Sequence, residues 1–562
     1  MTEAYRNRSN IVKPLHSLPT KRVNRRTVAK GAASAAAASL LAPRITFAQD
    51  ASPAASPAGE DVIRTGVVGV PDLYLTYPTP VKTYDGVPGK GGSVRAFTIG
   101  YNAPPVPRDD NAFWQELEAR LGVTWEIDIA PQPNYGEKSA AYLAGGDLPD
   151  LFYLNPGQNA TPQYQAMAQG AFLDLTPYLT GDSLQQFQNL RNYPQYMWDN
   201  NKFQGKIIAV PNPTGLAASD PFYRLDWAET VGIDPSDPTQ LAALLAAFSS
   251  GDPDGDGSAN TWGLGRFGSG WMGWDSTIAY RMYKLPNNWR LNDDGTLTHQ
   301  IETDEFKEAI AYLTDLHANG AYHPDAASMT FSDAQNNFIG GAIGLHTEGT
   351  GSFFGKNSVG DRQRQANPDA LIANVPNVAV DGGPGVSHNR SGAFGMVAIP
   401  ASITDEERIL ELLHILDYLG APFGSEEREF LNAGVEGVHF ERNEGGAPVT
   451  NDRLLQERGD LVYLMGTQPY LFSVEDPEAM RELQGILKTA VENGIDDPTL
   501  VLFSETNVAQ GPLLNQLGMD SMTPIVTGRE PLDNIQAAVD QWRSQGGDQI
   551  RNEYQEALQN QG

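Results

Sequence analysis

The chain has 562 residues, 40% of them hydrophobic, with 39 basic against 69 acidic side chains, a formal net charge of −30 and no cysteine. That length and apolar content exclude global disorder and suffice for about two or three domains. The negative charge argues against nucleic acid as a partner. The missing thiols exclude disulfides, thiolate zinc sites, iron–sulfur clusters, thiol catalysis and a lipidated N-terminal cysteine.

Residues 1–48 carry nine basic side chains and a single acid, Glu3, unlike the acidic remainder. Asn24-Arg25-Arg26-Thr27-Val28-Ala29-Lys30 resembles a twin-arginine export signal. An alanine-rich run over 32–42 and the small-residue site Thr46-Phe47-Ala48 follow it. Residues 49–90 read as a low-complexity spacer and N-terminal extension, with Ser-Pro and Ala-Pro steps over 51–58. No later stretch reaches the 18 apolar residues of a membrane span.

From Gly91 the pattern alternates strands and helices, the signature of α/β architecture. The spacing predicts strands over 93–99, 123–129, 151–154 and 207–210, and helices over 111–121 and 135–144. Gly181-Asp182-Ser183-Leu184 reads as the cap of a helix over 184–190, because the histidine context of an esterase with that motif is missing. Leu241, Leu244, Leu245 and Phe248 mark the apolar face of another helix. Further helices are expected over 305–318, 406–418, 475–493, 531–544 and 549–558, with a strand over 394–399.

Residues 252–263 read Asp-Pro-Asp-Gly-Asp-Gly-Ser-Ala-Asn-Thr-Trp-Gly. Oxygen donors at loop positions 1, 3, 5 and 9 with glycine at 6 match most of an EF-hand calcium loop. A hard cation wants six or more oxygens, and alternate residues of a tight loop point inward together. Asp252, Asp254, Asp256 and Asn260 would bind through side chains and Ser258 through its carbonyl, giving a structural calcium site. Position 12 is Gly263, so the bidentate glutamate is missing and Thr261, water or another part of the fold must complete the shell.

Catalytic signatures are weak. Neither Glu411/His414 nor Glu436/His439 belongs to an HExxH zinc motif, and no P-loop occurs. Gly263-Leu264-Gly265-Arg266-Phe267-Gly268 spells GxGxxG but leads into Ser-Gly-Trp, not a helix. Five of nine tryptophans, Trp227, Trp262, Trp271, Trp274 and Trp289, fall close together. Trp271 and Trp274 stand three apart among glycines, and flat indoles in such a setting suggest a platform for sugar rings.

Several segments in a fixed order carry a family resemblance. They are Leu143-Ala144-Gly145-Gly146-Asp147-Leu148-Pro149-Asp150, Gln169-Gly170-Ala171-Phe172-Leu173-Asp174, Gly205-Lys206-Ile207-Ile208-Ala209-Val210-Pro211, the stretch 227–234, the 252–263 loop, and Gly434-Val435-Glu436-Gly437-Val438-His439-Phe440. Over 91–560 the chain resembles family 1 extracellular solute-binding proteins of ABC importers, and within them the alginate-oligosaccharide-binding and LplA-like branch.

The resemblance implies an α/β, periplasmic-binding-protein-like fold of type II topology: two discontinuous α/β lobes joined by a hinge, with the ligand trapped between them. The expected division is lobe 1 over 91–212 and 385–460, lobe 2 over 213–384 with the calcium-like loop, and 461–562 mainly as C-terminal helices of lobe 2. The ligand residues expected are Trp271, Trp274 and Trp289, with Asn155 at a strand end facing the cleft. His346 and Glu348 are added, just past a strand ending at Leu345. The function implied is capture of an oligosaccharide for ABC permease subunits, without catalysis, by a monomer that binds no nucleic acid. The lipobox cysteine common in the family is absent, so a soluble periplasmic or extracellular protein is expected after cleavage near Gln49. A non-sugar solute such as a peptide or lipid precursor, and a secreted glycan-degrading enzyme, are the alternatives.

Overall fold

The computed structural model describes residues 61–560 except 218, 266–270, 272, 274–275 and 356–357, and only the backbone of 156–160. The export signal, the Ser-Pro spacer and Trp274 therefore lie outside the described residues.

The first lobe is built on a five-stranded sheet in the order Thr124–Pro131, Ser93–Gly100, Leu151–Leu154, Ala393–Ala398, Val210–Pro213. The first three run parallel, while Ala393–Ala398 is antiparallel to both of its neighbours. Ser93–Gly100 is covered on both faces, which is why Val94, Phe97 and Ile99 are all fully buried. Crossover helices follow from the caps: the Asn111 side chain accepts from the Trp114 N–H to start Ala112–Leu121, and Gly122 in the left-handed region at φ 70° ends it. The core joins residues of 84–216 to residues of 397–465, among them Leu412, Leu416 and Leu419 on the helix Glu406–Leu419. This lobe is thus discontinuous in sequence.

The second lobe has Asp220–Arg224 as the centre of an antiparallel three-stranded sheet, between Leu345–Glu348 and Ile372–Asn374. Its core packs Trp227, Leu244, Leu245 and Phe248 against Phe306, Ile310 and Leu313, and then against Met522, Ile525, Val539 and Trp542 from the C-terminal helices. The spine of those helices is Glu505–Val526. Pro512 inside it has no N–H for the Val508 carbonyl, and the hydroxyl of Thr161, on the first-lobe helix Pro156–Ala168, donates to that carbonyl at 2.9 Å. A break in one lobe's helix thereby supplies an acceptor to the other lobe.

Segments joining the lobes lie side by side. Ala217 bridges Asn389, the Arg390 N–H donates to the Leu216 carbonyl at 2.9 Å, and Ser387–His388 pairs in parallel with Gly494–Ile495. Asn287 stitches them with bonds from its amide to the carbonyls of Asn389 and Ile495.

Several sequence expectations are corrected. Within the expected N-terminal extension, residues 61–90 join the fold: Asp72–Tyr74 pairs with both Val62–Ile63 and the distant Tyr470–Phe472, and the Glu427 carboxylate accepts from the Thr83 N–H and hydroxyl and from the Tyr84 N–H. The strand expected at 207–210 is Val210–Pro213. The 184–190 helix is a short turn, Gly181–Leu184, with no side-chain cap, so Asp182 and Ser183 lie within it. The strand expected to end at Leu345 instead begins there and runs to Glu348. Leu461, Val462, Leu464 and Met465 sit in the first core rather than with the C-terminal helices.

Candidate functional site

Strand order in the first sheet reverses beside Ser93–Gly100: the chain goes first to Thr124–Pro131 on one side, then to Leu151–Leu154 on the other. Open α/β sheets bind ligands in the crevice at the C-terminal ends of strands flanking such a reversal. Tyr101 and Asn155 are the first residues past those two strand ends.

Tyr101 is 47% exposed although its surroundings are well ordered by hydrogen bonds. The buried Asp460 carboxylate accepts from the N–H groups of Tyr101 and Asn102, both at 2.8 Å, and from the Asn102 amide at 2.7 Å. This fixes the turn and leaves the Tyr101 ring half exposed at the strand end. Burial, with Asp460 nearby, pushes the Tyr101 hydroxyl pKa upward, so it stays a neutral donor. Its ring lies 5.4 Å from Tyr463 and 6.4 Å from Phe394, itself 38% exposed; Tyr463 in turn lies 6.1 Å from Tyr153. Tyr153 anchors the group from below, donating to the Phe394 carbonyl at 3.1 Å and accepting from the Asn212 amide at 3.2 Å. Gly395, at φ 145°, allows this: a Cβ there would lie 2.5 Å from the Tyr153 hydroxyl oxygen.

Asn155 lies at the strand end as expected and is only 6% exposed. Its N–H donates to the Tyr135 hydroxyl at 3.1 Å, while its side-chain Nδ2 has no partner among the described residues. A buried amide donor left open beside a crevice is what a ligand oxygen can satisfy.

The other expected ligand residues are placed differently. Trp271 is 4% exposed and packs in the second core, where a Cβ on Gly518 would come within 2.6 Å of its ring. The small residue that meets this indole thus serves close helix approach. Trp289 is equally buried, walled by His299 at 4.7 Å, Tyr554 at 5.9 Å and Trp542 at 6.0 Å. Together these two tryptophans and Trp542 line a small, partly open pocket with His299, Asn507 and Leu514. His346 is buried among Phe331, Phe338 and Phe353, with its Nε2 3.5 Å from the Glu348 carboxylate. Glu348 is partly open and also accepts from the Gln335 amide at 2.8 Å. Trp271, Trp289 and His346 are therefore core side chains, and the structure does not bring them to the Tyr101 crevice.

The aspartate loop has the shape its spacing predicts. Carboxylate oxygens of Asp252, Asp254 and Asp256 all lie within 4.8 Å of one another on the surface. Gly255 and Gly257 take φ of 69° and 80°, and N–H groups of Gly257, Asp256 and Ser258 turn toward Asp252, Asp254 and Asp256 respectively. Burial and the neighbouring charges of Asp256 and Asp252 push the Asp254 carboxyl pKa up, against the opposing Asp256 N–H, a crowding that a divalent cation relieves. Asn260 bonds to Asp256 at 2.9 Å and so sits beside the cluster. Thr261 does not: it is buried and donates to the Phe248 carbonyl at 2.8 Å. The donor set of Asp252, Asp254, Asp256, Asn260 and the Ser258 carbonyl fits a calcium ion that keeps water in its remaining positions.

Comparison with known proteins agrees with this architecture. A family profile described as bacterial extracellular solute-binding protein matches residues 112–414, more than half of the chain, which therefore belongs to that family of binding proteins. Lipoprotein LipO of Bacillus subtilis (strain 168) is 24% identical over 462 residues, covering 80% of this chain and 89% of LipO. The polygalacturonan/rhamnogalacturonan-binding protein YtcQ of the same organism is 23% identical over 473 residues, 82% and 89% of the two chains. The solved HMO-binding, ABC-transporter-associated solute-binding protein of Bifidobacterium longum infantis ATCC 15697 superimposes with a TM-score of 0.63 at 15% identity, over 83% of this chain and 98% of that one. The fold is the two-lobed type II solute-binding fold.

Tyr101, Phe394 and Tyr463 are missing from the expectations drawn from sequence. The usable signal was positional: Tyr101 directly follows a central strand at a reversal of strand order.

Proposed function

We propose that the protein captures an oligosaccharide between its two lobes and delivers it to an ABC permease, with no reaction of its own. The observation that carries this is the open aromatic group Tyr101, Phe394 and Tyr463 at the crevice edge, beside the unpartnered Asn155 amide. Aromatic faces stack on the C–H faces of sugar rings, and a few fixed polar groups orient the hydroxyls. The saccharide ligand named for YtcQ supports the reading.

Under this reading the chain acts as a monomer outside the cytoplasm, exported through the twin-arginine signal at Asn24–Lys30. Among the described residues no helix is long and apolar enough to cross a membrane. The test is a thermal-shift screen of residues 49–562 against mono- and oligosaccharides. A ligand at a hundredfold its Kd should add about 2.7 kcal/mol of stability. Tyr101→Ala and Phe394→Ala should each weaken the responding glycan by about 0.5–1.5 kcal/mol, the order of one aromatic stacking contact, while the melting temperature without ligand stays put. Silence across the panel, or unchanged affinity in both variants, would remove the reading.

Calcium at the aspartate loop belongs to the same proposal, with a supporting role. Chelation should lower the melting temperature and added calcium restore it, because an ion that binds only the folded loop stabilises the fold. Asp254→Asn should blunt the response and raise the melting temperature of the metal-free protein. No change on verified metal removal would exclude the site.

A further inference from the structure

Contacts also cross from lobe to lobe away from the segments that join them. One is the 2.9 Å bond from the Thr161 hydroxyl to the Val508 carbonyl. Another is the edge-on meeting of Phe203 with Phe503, ring centres 5.4 Å apart at 73°. Thr161 and Phe203 precede the joining segment at 216–217, and Phe503 and Val508 follow the one at 494–495. Chain connectivity does not hold these pairs together; they meet because of how the lobes are set against each other.

Each partner is fixed to its own lobe. Phe203 opens a tight turn, with paired main-chain bonds to Lys206 and with Gln204 and Gly205 at φ 49° and 78°, the positive φ values that a type I′ turn needs. Its ring packs on the first core and lies 6.4 Å from Tyr164. Across the gap, Leu502 beside Phe503 packs on the second core. The Glu553 carboxylate accepts from the Ser504 hydroxyl and from the Thr506 N–H and hydroxyl, which ties the start of Glu505–Val526 to the helix Asp548–Gln559. Groups so anchored cannot follow a departing lobe, so parting the lobes here breaks both contacts.

The acceptor exists because of Pro512. An N–H at that position would take the Val508 carbonyl within the helix, and proline has none. Thr161 stands six residues past Asn155, about 9 Å along the helix Pro156–Ala168, so the contact lies beside the edge of the crevice.

We propose that Thr161–Val508 and Phe203–Phe503 form a latch that keeps the lobes closed before any ligand arrives, with Pro512 freeing the carbonyl it uses. A ligand that meets a latched molecule need not supply the free energy of closing it, and the closed fraction scales its apparent affinity. The latch belongs to the chain alone and does not depend on which solute is captured.

The test is single-molecule energy transfer on ligand-free, calcium-supplemented residues 49–562. The chain has no cysteine, so Ser183→Cys and Glu308→Cys, exposed positions on the first and second lobes, take the dye pair. Most molecules should show the transfer efficiency of the closed arrangement. Thr161→Val, which keeps the shape and loses the hydroxyl, and Phe203→Ala should each lower the closed-to-open ratio about twofold to tenfold, the range of one hydrogen bond or one aromatic contact. Thr161→Ser should keep the wild-type ratio. Pro512→Ala should raise the melting temperature by mending the helix and yet lower the ratio, because the alanine N–H competes for the Val508 carbonyl. General destabilisation could not do both. A wild type found mostly open, or a ratio indifferent to Thr161→Val and Phe203→Ala combined, would overturn the latch. A ratio unmoved by Pro512→Ala would overturn the part given to Pro512.

Discussion

Replacing Asp417 by alanine is expected to remove about 2–5 kcal/mol of stability, read as a drop in the urea midpoint. Asp417 is fully buried on the helix Glu406–Leu419, and its carboxylate accepts the N–H groups of Gln188, Asn189 and Leu190 at 2.9, 2.8 and 2.7 Å. These three donors belong to a turn with no regular partner strand, so alanine would leave them without an acceptor in the protein. Burial raises the Asp417 pKa from 3.8 to about 6, against the opposing pull of the three N–H groups. The folded chain therefore holds this proton more tightly than the unfolded chain does. Its contribution to stability is largest below pH 3.8 and declines as pH rises through about 6, by up to about 3 kcal/mol. Asp417→Asn cannot titrate, so the stability difference between wild type and Asp417→Asn should change across that window and flatten above it. A constant difference from pH 4 to pH 7 would show that the carboxyl does not titrate there.

Gly263→Glu restores the missing twelfth residue of an EF-hand loop, yet it is expected to destabilise by about 3 kcal/mol or more without tightening calcium. A Cβ at Gly263 would lie 2.4 Å from the Leu245 carbonyl oxygen and 2.9 Å from that residue's carbonyl carbon and Cα. These are main-chain atoms of the helix Leu241–Ser250, which cannot swing aside as a side chain would. The chain is held there from both sides, by the bond of the Gly263 N–H to the Ser249 hydroxyl and of its carbonyl to the Leu345 N–H. Gly263→Ala should cost nearly as much as glutamate, because the first carbon makes the collision. A glutamate variant that melts like wild type and binds calcium more tightly would refute this account.

Residues with a local cause were legible in the sequence. The aspartate spacing predicted the geometry of Asp252, Asp254 and Asp256, since a tight loop fixes its own side-chain directions. The helix Ala112–Leu121 was legible for the same reason, carrying its own cap and stop. Glu505–Val526 was not, because prolines at 512 and 524 read as breaks, and the partner that satisfies the freed Val508 carbonyl is some 350 residues away in sequence. Trp271 and Trp289 are placed in the core for a related reason. A glycine-flanked indole looks exposed until the helix that packs on Trp271 is known, and only the tertiary fold brings Gly518 there. His346 was misplaced by a strand that started three residues late, which moved the residue from a loop into the sheet. Tyr101, by contrast, becomes visible only when strand order is known, because its exposure depends on the reversal beside it.

The pairing of Asp72–Tyr74 with Tyr470–Phe472 also constrains when the molecule can be completed. Gln484 closes the same unit, donating to the carbonyls of Ile63 and Pro71. A ribosome adding about 5–20 residues per second needs about 20–80 s to travel from the first of these segments to the last. Throughout that interval the early strands have an open edge, and Leu73, wholly covered in the finished fold, has no core to enter. Maturation of the N-terminal end is therefore a late event in the making of the chain, and a chain halted before residue 470 would keep an adhesive strand at its front.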